Sequence, residues 1–93
     1  MKSLALNYAQ LTDYGVEILA ETLSLNKTVT KVDLSSNQIS DMGMLNVGRM
    51  LSSNQTIDCL KLGNNKLKDK SCEHIYEGLK AHKKLTKIHL DGN

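Results

Sequence analysis

A 28-residue pattern that begins at Leu4 recurs at Val32 and at Leu60, and a fourth copy opens at Ile88 and runs six residues to Asn93. In register, Leu6, Leu34, Leu62 and Leu90 align, as do Leu11, Ile39 and Leu67, then Asp13, Asp41 and Asp69, then Leu23, Leu51 and Leu79. A chain that repeats itself at a fixed period of this length folds by stacking one small unit on the next, each burying its apolar face against a neighbour. The units predicted are 4–31, 32–59 and 60–87 with a partial unit 88–93, all in a single domain, 1–93. About three such units are the minimum for a stable array.

Each unit opens with alternation: Leu4-Ala5-Leu6, Val32-Asp33-Leu34, Leu60-Lys61-Leu62 and Ile88-His89-Leu90. Period two predicts a short strand with one buried face. Three residues past the second apolar position stand Asn37, Asn65 and Asn93, with Ala9 at the corresponding place in the first unit. An Asn where the chain turns off a strand can satisfy turn backbone groups that would otherwise be stranded, each worth about 1 to 3 kcal/mol.

The apolar period then changes. Val16, Leu19, Ala20 and Leu23, then Met44, Val47, Gly48 and Leu51, then Cys72, Ile75, Tyr76 and Leu79 follow i, i+3, i+4, i+7 spacing, one face of a helix. Thr12-Asp13, Ser40-Asp41 and Lys68-Asp69 precede these faces, where Thr, Ser or Asp side chains can accept from free amides at the helix start. Asn26, Asn54 and His82 follow them as stops, and Val29, Ile57 and Leu85 lead into the next strand, with Met1 at the same place in front. One strand and one helix per unit make successive strands parallel, with the helices covering one sheet face.

The second unit, VDLSSNQISDMGMLNVGRMLSSNQTIDC, fits the pattern LxLxxNxLxDxGxxxLxxxLxxNxT and resembles the leucine-rich repeat of the ribonuclease-inhibitor subtype. The resemblance implies an α/β solenoid, a short horseshoe arc with parallel strands on the concave face and helices on the convex face. Departures are Ala9 for the ladder Asn, Ser71 where Gly15 and Gly43 stand, and His82 and Lys84 for the closing Asn and Thr. They bear on local turns rather than on the fold.

In such an arc the outward strand positions line the concave face, and Lys31, Asp33, Cys59, Lys61, Lys87 and His89 are the candidate partner-binding residues. Ile88 and Leu90, on a strand with no helix after it, are candidates for an open edge that pairs with something else. The resemblance therefore implies a noncatalytic protein-protein interaction or scaffold module, a segment of a longer array or a subunit of an assembly. Two other readings stand beside it: a regulator of an enzyme such as a GTPase or nuclease, and a structural repeat that docks edge to edge with further repeats or another subunit.

Other chemistry has little support in the residues. No Gly-rich phosphate loop, His-Glu metal motif or Ser elbow is present, so neither an enzyme nor a cofactor is expected. His74, His82 and His89 are dispersed, and Cys72, on the expected buried face, cannot share a zinc ion with His74 two residues on. Cys59 is expected to be the more exposed of the two thiols. Lys61, Lys66, Lys68, Lys70, Lys80, Lys83, Lys84 and Lys87 crowd the late part of the chain against Asp69, Glu73 and Glu77. With no interleaved aromatic residues to stack bases and no arginine in that stretch, a solvated face is expected rather than a nucleic-acid site. No apolar run approaches the roughly 20 residues of a membrane span, and the segment MKSLALNYAQ is too weakly apolar for a secretory signal. An intracellular, cytoplasmic setting is the expectation, with cytoskeletal or ciliary association among the roles of resembling proteins.

Overall fold

The computed structural model describes residues 2–82 and 84–93; Met1, aligned by the period with Val29, and Lys83 of the lysine-rich stretch lie outside them. Strand and helix alternate as β1 (Lys2–Ala5), α1 (Asp13–Leu25), β2 (Val29–Asp33), α2 (Asp41–Ser53), β3 (Cys59–Lys61), α3 (Asp69–Leu79) and β4 (Lys87–His89). The strands form one parallel sheet in the order β1-β2-β3-β4. Each strand pairs with the residue one period away, Val32 with Leu60 and Leu60 with Ile88. The ladder runs past the strand ends: the Leu6, Leu34 and Leu62 amides donate to the Asp33, Lys61 and His89 carbonyls at 2.8–2.9 Å.

The core lies between the sheet and the helix layer. Val32 and Leu60 come from the strands, Leu34 and Leu62 from the residues just past them, Val16, Met44, Val47, Leu51 and Ile75 from the helices, and Ile39, Ile57 and Leu67 from the connections. Burying each such side chain contributes roughly 1.5 to 3 kcal/mol. The same positions at the two ends, Leu4, Leu6, Ile88 and Leu90, are only half-buried, because a neighbour covers them on one side alone.

Turns off the strands are built as the ladder Asn predicts. The Asn37 carboxamide oxygen accepts from the Ala9 and Leu11 amides, that of Asn65 from Asn37 and Ile39, and that of Asn93 from Asn65 and Leu67. Their Nδ2 groups donate to carbonyls on both sides, Asn65 to Leu34, Leu62 and Gly63. The residue before this position is left-handed in every unit: Tyr8, Ser36 and Asn64 at φ 55–58°, Gly92 at φ 80°. The first turn, which has Ala9 in place of Asn, holds a second left-handed residue, Gln10.

Two expectations about the helices are corrected. Thr12, Ser40 and Lys68 stand at the N-caps, yet none of them makes a side-chain bond to its own helix. The aspartates cap the next unit instead. Asp13 accepts the Ser40 amide at 2.7 Å and the Ser40 hydroxyl, and Asp41 accepts the Lys68 and Ser71 amides and the Ser71 hydroxyl. Secondly, Cys72 and Tyr76 are exposed rather than buried, and α3 buries Ser71, Ile75 and Gly78. Cys72 and Tyr76 occupy the places of Met44 and Gly48 in α2, which are covered only because α3 lies beyond them.

His82 closes the third helix where Asn54 closes the second. Asn54 donates to the Leu23 and Asn26 carbonyls and accepts from the Thr56 and Ile57 amides. His82 is buried with Nδ1 2.9 Å from the Leu51 carbonyl and Nε2 2.7 Å from the Ile57 carbonyl. A neutral ring can donate to one of these oxygens and an imidazolium to both.

Candidate protein-interaction surface

Period two and parallel register together lay the outward strand residues in rows. Ser3, Lys31, Cys59 and Lys87 form one row across the sheet, and Ala5, Asp33, Lys61 and His89 the next. All six candidate residues are thus brought together on β2, β3 and β4. Lys31, Lys61, Lys87 and His89 are exposed, and Asp33 is half-buried with one carboxylate oxygen accepting the Ser35 amide at 3.0 Å. A shallow hollow of about 200 Å3 opens over β1 to β3, among Ser3, Ala5, Lys31, Asp33, Cys59 and Lys61.

Cys59 contradicts its expected exposure. Only 8% of it is accessible, and Cys72 is the exposed thiol. In register Cys59 stands between Lys31 and Lys87, a short side chain between two long ones, so it forms the floor of the row rather than a contact point.

The open-edge candidates also separate. Ile88 lies within β4, the edge strand, and Leu90 lines a groove of about 510 Å3 with Leu67, Cys72, Ile75 and Asn93. The period could not locate this groove, since it exists only where stacking stops. Its counterpart one unit earlier, around Ile39, Met44 and Val47, is closed, each of those side chains being fully buried.

Electrostatically the sheet rows are mixed, with three lysines, one histidine and one aspartate. Among the described residues the single ion pair lies elsewhere, Lys80 to Glu77 at 3.3 Å on α3, too exposed to contribute much to stability. No group of three or more His, Cys, Asp or Glu among the described residues could hold a metal ion. No helix of the structure is long and apolar enough to cross a membrane.

The family described as "Leucine Rich repeat" matches residues 25–48, which take in β2, the Asn37 turn and the first half of α2. No curated protein matches the chain. Among solved structures, one described as "Leiomodin-1 Actin-Binding Site 2 (ABS2)" is similar at 29% identity and a TM-score of 0.85, over 97% of this chain and 53% of that one. This chain therefore spans about half the length of that structure. Alternating strands and helices on one parallel sheet, the repeated Asn turns and both matches give the chain a leucine-rich repeat solenoid fold and support a leucine-rich repeat protein.

Proposed function

We propose that the chain is a noncatalytic protein-binding module that engages a cytoskeletal protein, actin in the first instance, through the exposed rows of its sheet. The observation that carries this reading is the likeness over 97% of the chain to a structure described as an actin-binding site. The rows support it chemically: Lys31, Lys61, Lys87 and His89 present cationic and hydrogen-bonding groups around Asp33 on a rigid strand frame. Such mixed charge steers a protein partner into register more than it adds raw affinity. The units 4–31, 32–59, 60–87 and 88–93 act as repeats of the ribonuclease-inhibitor-like subtype, and the setting is the cytoplasm.

Cosedimentation with filamentous actin tests the proposal. The chain is expected to pellet with filaments, and Lys61→Glu and His89→Glu are each expected to weaken binding about tenfold, or 1.4 kcal/mol, with an unchanged unfolding midpoint. Pelleting unaffected by either substitution would move the interface to the helices or loops. No binding to filamentous or monomeric actin would remove actin as the partner.

A further inference from the structure

Along the rim where the helices begin, the period aligns alternate residues in three rows: Gln10, Gln38 and Lys66, then Thr12, Ser40 and Lys68, then Tyr14, Met42 and Lys70. The first two units place no charge in these rows, and the third places a lysine in each. All three lysines are exposed and make no ion pair among the described residues. Asp69 is the one carboxylate in the run 66–70. Lys66 pairs in parallel with Ser40 and donates its amide to the Ile39 carbonyl at 2.8 Å, and the Lys68 amide donates to Asp41 at 2.9 Å. Lys66 and Lys68 therefore leave one rigid extended stretch on the same side, their backbones roughly 7 Å apart, with Leu67 buried between them.

Folding does not call for lysine here. Lys68 stands at the N-cap of α3, where Ser, Thr, Asp or Asn is favoured, and makes no capping bond; Lys70 is in the first turn, and cations at this end oppose the helix dipole. A local rule broken without a gain in folding points to a role outside folding. Beside these lysines runs a groove of about 540 Å3, with Met42 contributed by the second unit and Lys66, Leu67 and Lys68 by the third. Met42 is 69% exposed, and Tyr14, in its row one unit earlier, 73%. The groove thus has an apolar side and a cationic side. Asp41, which also lines it, has its carboxylate turned onto the Lys68 and Ser71 amides.

We infer that this rim binds an extended acidic segment of a protein partner, its carboxylates against Lys66 and Lys68 and its apolar side chains, alternating with them, against Met42. Alternate side chains of an extended chain point to opposite sides and recur every roughly 7 Å, the separation of the two lysines. The charges guide the segment into place, and the pinned backbone of residues 66–68 keeps the ordering cost on this side low. A nucleic acid fits less well, because Met42 and Leu67 offer no ring on which a base stacks and no arginine lines the groove. A lipid surface fits less well, because a groove between two units admits a chain rather than a flat bilayer, and Asp69 stands among the lysines. None of these residues belongs to the sheet rows, so the inference stands or falls apart from the actin reading.

Amide-shift titration of the 93-residue chain by NMR tests it, with the blocked peptide Glu-Val-Glu-Val-Glu as probe and Glu-Glu-Glu-Val-Val as its reordered control. The alternating peptide is expected to bind, more weakly as salt is added, with shifts centred on Met42, Lys66 and Lys68. Lys66→Ala, Lys68→Ala and Met42→Ser are all substitutions of exposed side chains, so the circular dichroism should match that of the parent. Each lysine variant is expected to weaken binding about threefold, as for one exposed ion pair, and the two together about tenfold. Lys80→Ala, at the other end of α3, is expected to leave binding unchanged. No binding, equal binding of the reordered peptide, or a Lys80→Ala loss as large as that of Lys66→Ala would each overturn the proposal. Tighter binding to phosphatidylserine vesicles or to oligouridylate than to the peptide would overturn it in favour of a membrane or an RNA.

Discussion

Asp41 collects three donors on one carboxylate oxygen, the Ser71 hydroxyl and the Lys68 and Ser71 amides. These bonds favour the ionised form, the Ser71 hydroxyl most, and outweigh desolvation, so the carboxyl is held below its ordinary value. Because the folded value lies below the unfolded one, the stabilisation is present above about pH 4 and is lost as pH falls through the lowered value. Asp41→Asn is therefore expected to be less stable than the parent at pH 7 and to lose less on acidification, read as urea midpoints between neutral pH and pH 3. The ladder asparagines were legible in the sequence because a turn after a two-residue alternation leaves amides that an Asn can reach. The partner of Asp41 was not: an Asp at the first helical position looks the same whether it caps its own helix or the next. Cys59 was misread for a similar reason, since its exposure depends on the lysines beside it in neighbouring strands rather than on its own place in a strand.

Between elements, α2 and α3 approach each other closely at two glycines. A Cβ on Gly48 would lie 2.5 Å from the His74 carbonyl oxygen, and one on Gly78 2.7 Å from the Gly48 carbonyl oxygen. Backbone atoms cannot step aside as a flexible side chain can, so Gly48→Ala forces the helices apart. The expected loss is about 1 to 3 kcal/mol, measured by urea unfolding, despite the better helix propensity of alanine. Helix faces in the middle of the array followed from spacing: Met44, Val47, Gly48 and Leu51 are all buried as expected. The same spacing failed for Cys72 and Tyr76, because periodicity tells which side of a helix meets the next unit and not whether a next unit is there.

Across the whole molecule, stability is a sum of junctions, and the most enclosed residues are those with a neighbour on both sides. Leu34, 1% exposed in the second unit, is one of the positions at which a charge does great harm. Leu34→Asp would place an unpaired carboxylate between sheet and helices, and loss of the cooperative thermal transition in circular dichroism is the expected result. The fold was legible at this scale because a repeat reports its own stacking, whereas the interaction surface was legible only as rows, since the parallel register and not the composition decides which charges become neighbours. The direction of the aspartate bridges has one more consequence. Each carboxylate serves the unit that follows it, so α2 and α3 begin against a cap supplied from behind, and α1 begins without one. Coupling along the array is therefore directional: loss of a carboxylate loosens the start of the helix after it and not that of its own, so Asp13→Asn is expected to speed amide exchange at the start of α2 and to leave the start of α1 unchanged.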